Sequence, residues 1–212
     1  MLNDPFSDLR DIVTDLDTVR AVVGDPIGPV LAKVLDHLDD LCRDFIAQSP
    51  FIVLGTVGGD GHVDMSPKGD PPGFVRVLDD HRLAIPDRPG NRRLDSFQNI
   101  LSDPSVGIIF MIPGKPETLR VGGKARIVRD QALRESMAVK GKVPEFALVV
   151  AVERVFIHCP KCILRSGLWE PERWTEDHLP DVGETMVKHG KLDVTPEQLL
   201  DMAVKQGLLE LY

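Results

Sequence analysis

The stretch Phe51-Ile52-Val53-Leu54-Gly55-Thr56-Val57-Gly58-Gly59-Asp60-Gly61-His62-Val63-Asp64-Met65-Ser66-Pro67-Lys68-Gly69 decides the fold. Its first seven residues are apolar and rich in β-formers, and a Gly/Asp cluster follows. A second run then closes on Ser-Pro-Lys-Gly, so the segment reads as a β-hairpin, with a turn longer than the two-residue ideal. Downstream, Phe74 to Leu78 and Arg82 to Ile85 read as short strands around Asp79-Asp80. Val106 to Ile112 and Leu119 to Val128 flank Pro113-Gly114-Lys115-Pro116, and Phe146 to His158 is the last long strand. Turns separate these runs more often than crossover helices do, which favours an antiparallel barrel over a doubly wound parallel sheet.

Helical spacing surrounds this β-rich middle. Residues 4 to 20 and a second segment from Asp25-Pro26 to about Ala47 carry apolar residues three and four apart. Asn91 to Leu101, residues 130 to 140, Cys159 to Gly167, and Pro196 to Gln206 with Thr195 as N-cap also read as helices.

Bulk properties narrow the partners. The net charge of −8 argues against a general nucleic-acid or acidic-membrane binder, yet leaves room for a local basic pocket. Three cysteines are too few and odd in number for a disulfide framework, and a reducing cytoplasm fits them best. Met1 to Pro5 lacks the features of a signal peptide, and no apolar run approaches the length of a membrane span.

Four segments can carry chemistry. In Ile85-Pro86-Asp87-Arg88-Pro89-Gly90-Asn91-Arg92-Arg93-Leu94-Asp95-Ser96 a strand ends, a loop turns, and a helix is expected to start near three arginines. Unpaired N–H groups at a helix start plus guanidinium groups make a phosphate site from short-range parts. A solvated basic patch is the other reading. Val63-Asp64-Met65-Ser66-Pro67-Lys68-Gly69 ends by placing a hydroxyl and an ammonium group at one rim, or is a plain strand exit. In Arg120-Val121-Gly122-Gly123-Lys124-Ala125-Arg126, alternation puts Arg120, Gly122, Lys124 and Arg126 on one face. The glycines allow close approach of a flat ring or another backbone, or mark a bend at a barrel corner. Lastly, Cys159-Pro160-Lys161-Cys162 suggests redox or zinc chemistry, although no second cysteine pair completes a zinc site. If that segment stays helical, Lys161, Arg165 and Trp169 share a face. No nucleophile elbow, Walker loop or Rossmann fingerprint is present.

Taken in order, the four segments resemble the flavin mononucleotide (FMN)-binding split barrel of the pyridoxamine 5′-phosphate oxidase-like family, over about residues 45 to 170. The run from His158 to Trp169 looks like the C-terminal motif of its flavin-nucleotide-binding subgroup. The resemblance implies a mainly β, α+β fold: a six- to seven-stranded antiparallel split β-barrel at 46–170 with peripheral helices. Helical extensions are expected at 1–45 and 171–212. It implies FMN held at the interface of a homodimer. Arg88, Asn91, Arg92 and Arg93, following Asp87, would take the phosphate. Ser66, Pro67, Lys68 and Gly69 would line the ring. Arg120, Gly122, Lys161, Arg165 and Trp169 complete the expected site, with Arg120 and Lys161 reaching across the interface. An FMN-dependent oxidoreductase of unknown small-molecule substrate follows. A non-enzymatic flavin carrier, or a deazaflavin- or haem-handling relative, is the alternative. The C-terminal Arg-x-His-like substrate motif of true pyridoxamine phosphate oxidases is missing.

Overall fold

A computed structural model describes residues 4–175 and 179–212, so Met1, Leu2 and Asn3 lie outside it. The chain forms two compact units, 1–34 and 35–212. In the first, α1 (Leu16–Val23) starts at Asp15, whose carboxylate accepts from the Thr18 N–H, and α2 (Gly28–Ala32) is a single short turn. Residues 4 to 15, expected to be helical, are not.

The second unit holds α3 (Asp40–Gln48), β1 (Phe51–Val57), β2 (Val63–Gly69), β3 (Arg76–Asp79), β4 (Arg82–Pro86) and α4 (Asp95–Ser102). It continues with β5 (Ser105–Met111), β6 (Thr118–Val128), α5 (Gln131–Ser136), β7 (Ala147–His158), α6 (Lys161–Ser166), α7 (Val182–Gly190) and α8 (Pro196–Lys205). The seven strands form one antiparallel sheet in the order β2-β1-β5-β6-β7-β4-β3. Among the described residues no ladder joins β2 to β3, and the architecture is a split β-barrel, mainly β, with peripheral helices.

Alternation explains the core. Along β1, Ile52, Leu54 and Thr56 are buried while Phe51, Val53 and Gly55 are more open. The same parity buries Val106, Ile108 and Phe110 on β5, and Leu119, Val121 and Ala125 on β6. Leu38, Cys42, Phe45 and Ile46 from α3 and its approach, with Ile100 from α4, close that interior. Each fully buried Leu, Ile or Phe contributes about 1.5–3 kcal/mol relative to exposure.

The long second helix expected from the sequence is broken. Leu35 instead exchanges two backbone hydrogen bonds with Val155 on β7 (2.9 and 2.8 Å), and Leu38 N–H reaches the Asp80 carbonyl. Asp39 then caps α3 through the Cys42 N–H. The ladder between β6 and β7 also shifts, from Gly122↔Arg154 to Gly123↔Val152, leaving Glu153 as an extra residue. Gly123 is required at this bulge: a Cβ there would lie 1.9 Å from the Ala151 carbonyl oxygen.

Candidate functional site

The register places the site. β2 is an edge strand, so Pro67 can lack an N–H without breaking a ladder. Its pleat turns Asp64, Ser66 and Lys68 to one half-buried side and Val63, Met65 and Pro67 to the other. Both sets, from Asp64 to Gly69, border a cavity of about 590 Å³, whose walls also include the end of β4, the loop 88–94, the first turn of α4, and Gly207-Leu208. That volume lies within the roughly 300–1,000 Å³ usual for ligand sites. Ser66, Pro67, Lys68, Gly69, Asp87, Arg88, Asn91, Arg92 and Arg93 are thus brought to one cavity.

The phosphate-site expectation needs one correction: α4 starts at Asp95, not at Asn91. Arg92 (φ +60°) and Leu94 (φ +62°) adopt left-handed backbone, which no helix continues through. Asn91 Oδ1 accepts from the Arg93 N–H at 3.1 Å and tightens the loop. Leu94, at the N-cap, supplies no side-chain acceptor, so the first turn of α4, whose Asp95, Ser96 and Phe97 line the cavity, starts without a side-chain cap.

The three arginines differ in kind. Arg88 is an internal tie: its Nε donates to Asp70 Oδ2 at 2.6 Å and its Nη2 to the Met137 carbonyl at 2.9 Å. Arg93 is exposed and pairs with Asp95 at 2.7 Å. Arg92 has no side-chain partner among the described residues and is the cation most available to a ligand.

On β2, Lys68 Nζ lies 3.4 Å from Ser66 Oγ. Burial pushes the Lys68 ammonium below its ordinary 10.5, with Asp87 partly opposing that shift. Burial pushes the Asp87 carboxyl above its ordinary 3.8, opposed by Lys68 and Arg88. Behind this wall, Asn99 of α4 donates to Thr56 Oγ1 (3.0 Å) and Asp64 Oδ2 (2.6 Å), fixing the helix to β1 and β2.

The family model described as pyridoxamine 5′-phosphate oxidase matches residues 38–159. The chain belongs to that family. The matched span contains every strand of the sheet and all of the cavity wall except Gly207-Leu208. Among solved structures, HupZ of Group A Streptococcus is 22% identical with a TM-score of 0.46, over 56% of this chain and 92% of that one. General Stress Protein 26 of Bacillus anthracis is 16% identical with a TM-score of 0.42, over 54% and 88%. An FMN-binding protein of Syntrophomonas wolfei is 10% identical with a TM-score of 0.42, over 68% and 97%. No curated protein matches.

The remaining expected residues of this family member do not line the cavity. Arg120 and Gly122 lie on the outward face of β6, with the Arg120 guanidinium 6.0 Å from the Phe156 ring centre. Lys161 and Arg165 sit on α6, which ends at Gly167 in left-handed backbone. Trp169 therefore leaves the helical face, and its indole N–H donates to the Lys115 carbonyl at 2.9 Å.

Several cavity features escape a sequence reading. Asp64 falls inside the Val63-to-Gly69 segment without being assigned to the site, and its parity with Ser66 and Lys68 is the signal that marks it. Leu208 and the Asp70 tie come from non-local folding and have no local signal.

Proposed function

We propose that this protein binds FMN in the cavity between β2 and the 88–94 loop and acts as an FMN-dependent oxidoreductase on a small molecule. One juxtaposition carries the reading. The cavity wall combines Arg92, Arg93 and the start of α4, which has no side-chain cap, with Ser66, Pro67 and Lys68 of β2. Charge-assisted hydrogen bonds from the first group suit a phosphate. The half-buried Lys68 suits the polar edge of a flat heterocycle, since an anionic oxygen beside it offsets the burial of its charge.

When bound, the flavin supplies the hydride and electron chemistry. The chain's own task is then to fix the phosphate, orient the ring edge through Ser66 and Lys68, and exclude water with Phe74, Phe97 and Leu208.

A homodimer completes this reading. The register aligns Met65, Gly55, Gly107, Gly122 and Arg154 in one row across the outward face of the sheet. Val63 (59% exposed) and Met65 (60%) flank a shallow, glycine-floored surface there. A second copy seated on it would bring Arg120 and Gly122, and with them Lys161, Arg165 and Trp169, towards its partner's cavity.

The test is direct. Denaturation of the protein after loading with FMN should release a flavin with its visible absorption band. A preparation that neither carries nor takes up FMN overturns the proposal. Arg92→Ala with Arg93→Ala should weaken FMN far more than riboflavin, and equal loss for both would remove the phosphate assignment. Steady-state turnover with a nicotinamide donor and an acceptor separates an enzyme from a carrier.

A further inference from the structure

A pair of thiols stands apart from the cavity. Cys159 and Cys162 are both exposed and unpaired. They straddle the junction where β7 ends at His158 and α6 begins at Lys161. Pro160 is helical in backbone (φ −75°, ψ −8°), and its carbonyl accepts from the Leu164 N–H at 3.0 Å. Cys159 precedes the N-cap Pro160 and Cys162 lies in the first turn of α6, so the chain turns between the two thiols. A disulfide needs its Cβ atoms about 3.5–4.5 Å apart. Meeting that geometry falls to the end of β7 and the first turn of a six-residue helix, where both cysteines are exposed.

Two competing fates for the pair lack support. Among the described residues no group of three or more His, Cys, Asp or Glu side chains is assembled to hold a metal ion. Neither sulfur is needed for packing, in contrast to Cys42, which is buried in the core with its thiol pushed up to about 12 by burial. Lys161 and Arg165 are exposed on the same short helix and supply positive charge beside the thiols.

We infer that Cys159 and Cys162 form a reversible dithiol/disulfide site that exchanges with small disulfides carrying carboxylates. One thiolate attacks the small disulfide, expelling one thiol and leaving a mixed disulfide on the protein. The second thiolate then attacks the protein-side sulfur of that mixed disulfide, forming the Cys159–Cys162 bond and releasing the second thiol. The protein dithiol loses two electrons and two protons, and the small disulfide gains both as two thiols. The inference does not rest on FMN binding: its test reads thiols, and it succeeds or fails whether or not the cavity takes up a flavin.

The experiment uses the full chain and oxidised glutathione. After incubation the protein is unfolded, its free thiols are alkylated, and its peptides are weighed. The expected result is loss of two alkylatable thiols, with Cys42 still alkylated. The peptide containing both cysteines should be lighter by two hydrogens, and dithiothreitol should reverse the change. Cys159→Ser and Cys162→Ser should each stop at a stable glutathione adduct on the remaining thiol. The inference is overturned if the wild-type protein stops at adducts without closing the bond, or if both thiols stay free.

Discussion

Arg88, on the cavity wall, and Asp70 behind it form a largely buried ion pair, with Nε and Oδ2 2.6 Å apart and side chains 15% and 1% exposed. Asp70 spends its other oxygen on the Tyr212 hydroxyl at 2.7 Å, and the Arg88 guanidinium stands 5.7 Å from that ring's centre. The pair thus joins the end of β2, the loop after β4, and the segment that carries Leu208. Removing one member strands the other charge in the interior, at a cost of about 3–5 kcal/mol. Arg88→Ala should lower the urea midpoint by the equivalent of that loss, whereas Arg92→Ala should leave the midpoint unchanged. Equal stability of the two variants would contradict the division between a structural and a ligand-facing arginine.

Tyr212 reports on the same network. The hydrogen bond to Asp70 holds its phenol above the ordinary 10, with burial and the Asp70 charge acting in the same direction. Because it is the only tyrosine, tyrosinate absorbance follows this one group. A raised native pKa means that the folded state keeps the proton longer. The contribution to stability is therefore full below the unfolded pKa and is lost as pH rises through the folded one. The titration of the native protein should lie above that of the unfolded chain, and Asp70→Asn should move it back. Coincident curves for native and unfolded protein would show that the hydroxyl is not held there.

Lys68 and Asp87 shift in opposite directions for the same reason, since burial disfavours both charges. For Asp87 the folded pKa is raised, so stability is highest in acid and falls as pH rises through the range above its ordinary 3.8. For Lys68 the folded pKa is lowered, so stability is highest above 10.5 and falls as pH drops through the range beneath it. Asp87→Asn should flatten the acid-side slope of unfolding midpoint against pH, and Lys68→Met the alkaline one. An unchanged acid-side slope in Asp87→Asn would place that carboxyl in solvent.

These particulars show what a sequence can disclose. The hairpin of β1 and β2 and the long strands β5, β6 and β7 were legible because a two-residue period and Gly/Pro punctuation are local properties. So was the grouping of Ser66 to Gly69 with the arginine loop, through the resemblance these motifs bear to the family. The start of α4 was not, because Arg92 and Leu94 take left-handed backbone without the glycine that normally announces it. The gap between α2 and α3 was hidden because Leu35 finds its partner, Val155, on the interior strand β7, far along the chain. Helix α7 was missed although Asp181 caps it through the Glu184 N–H, since its apolar spacing is weak and breakers surround it.

The two central glycines of β6 should separate fold from assembly. At Gly123 a methyl group would meet the Ala151 carbonyl at 1.9 Å, and backbone cannot yield as a flexible side chain can. Gly123→Ala should cost about 1–3 kcal/mol or more through overpacking. At Gly122 the nearest atom to such a methyl is 4.0 Å away, the Val106 carbonyl oxygen. Gly122→Ala should therefore fold with unchanged thermal stability as a monomer, yet weaken self-association and FMN uptake if a second copy or a ring lies on that face. Sedimentation of the two variants checks this, and unaltered association in Gly122→Ala would count against the outward face as an interface.

The left-handed residue before α4 offers a test of preorganisation. Leu94 is 54% exposed, so its side chain gains little from burial, while its backbone (φ +62°) is costly for any residue with a Cβ. Leu94→Gly removes a strain of about 1–2 kcal/mol, partly offset by the greater freedom glycine has in the unfolded chain. The unfolding midpoint should rise or hold. The same freedom loosens the loop that presents Arg92 and Arg93, so FMN should dissociate faster from Leu94→Gly even as the fold becomes no weaker. A parallel fall in stability and affinity would instead mean that the Leu94 side chain holds the loop by contact, and that the backbone geometry of residues 92 to 94 is a consequence of packing.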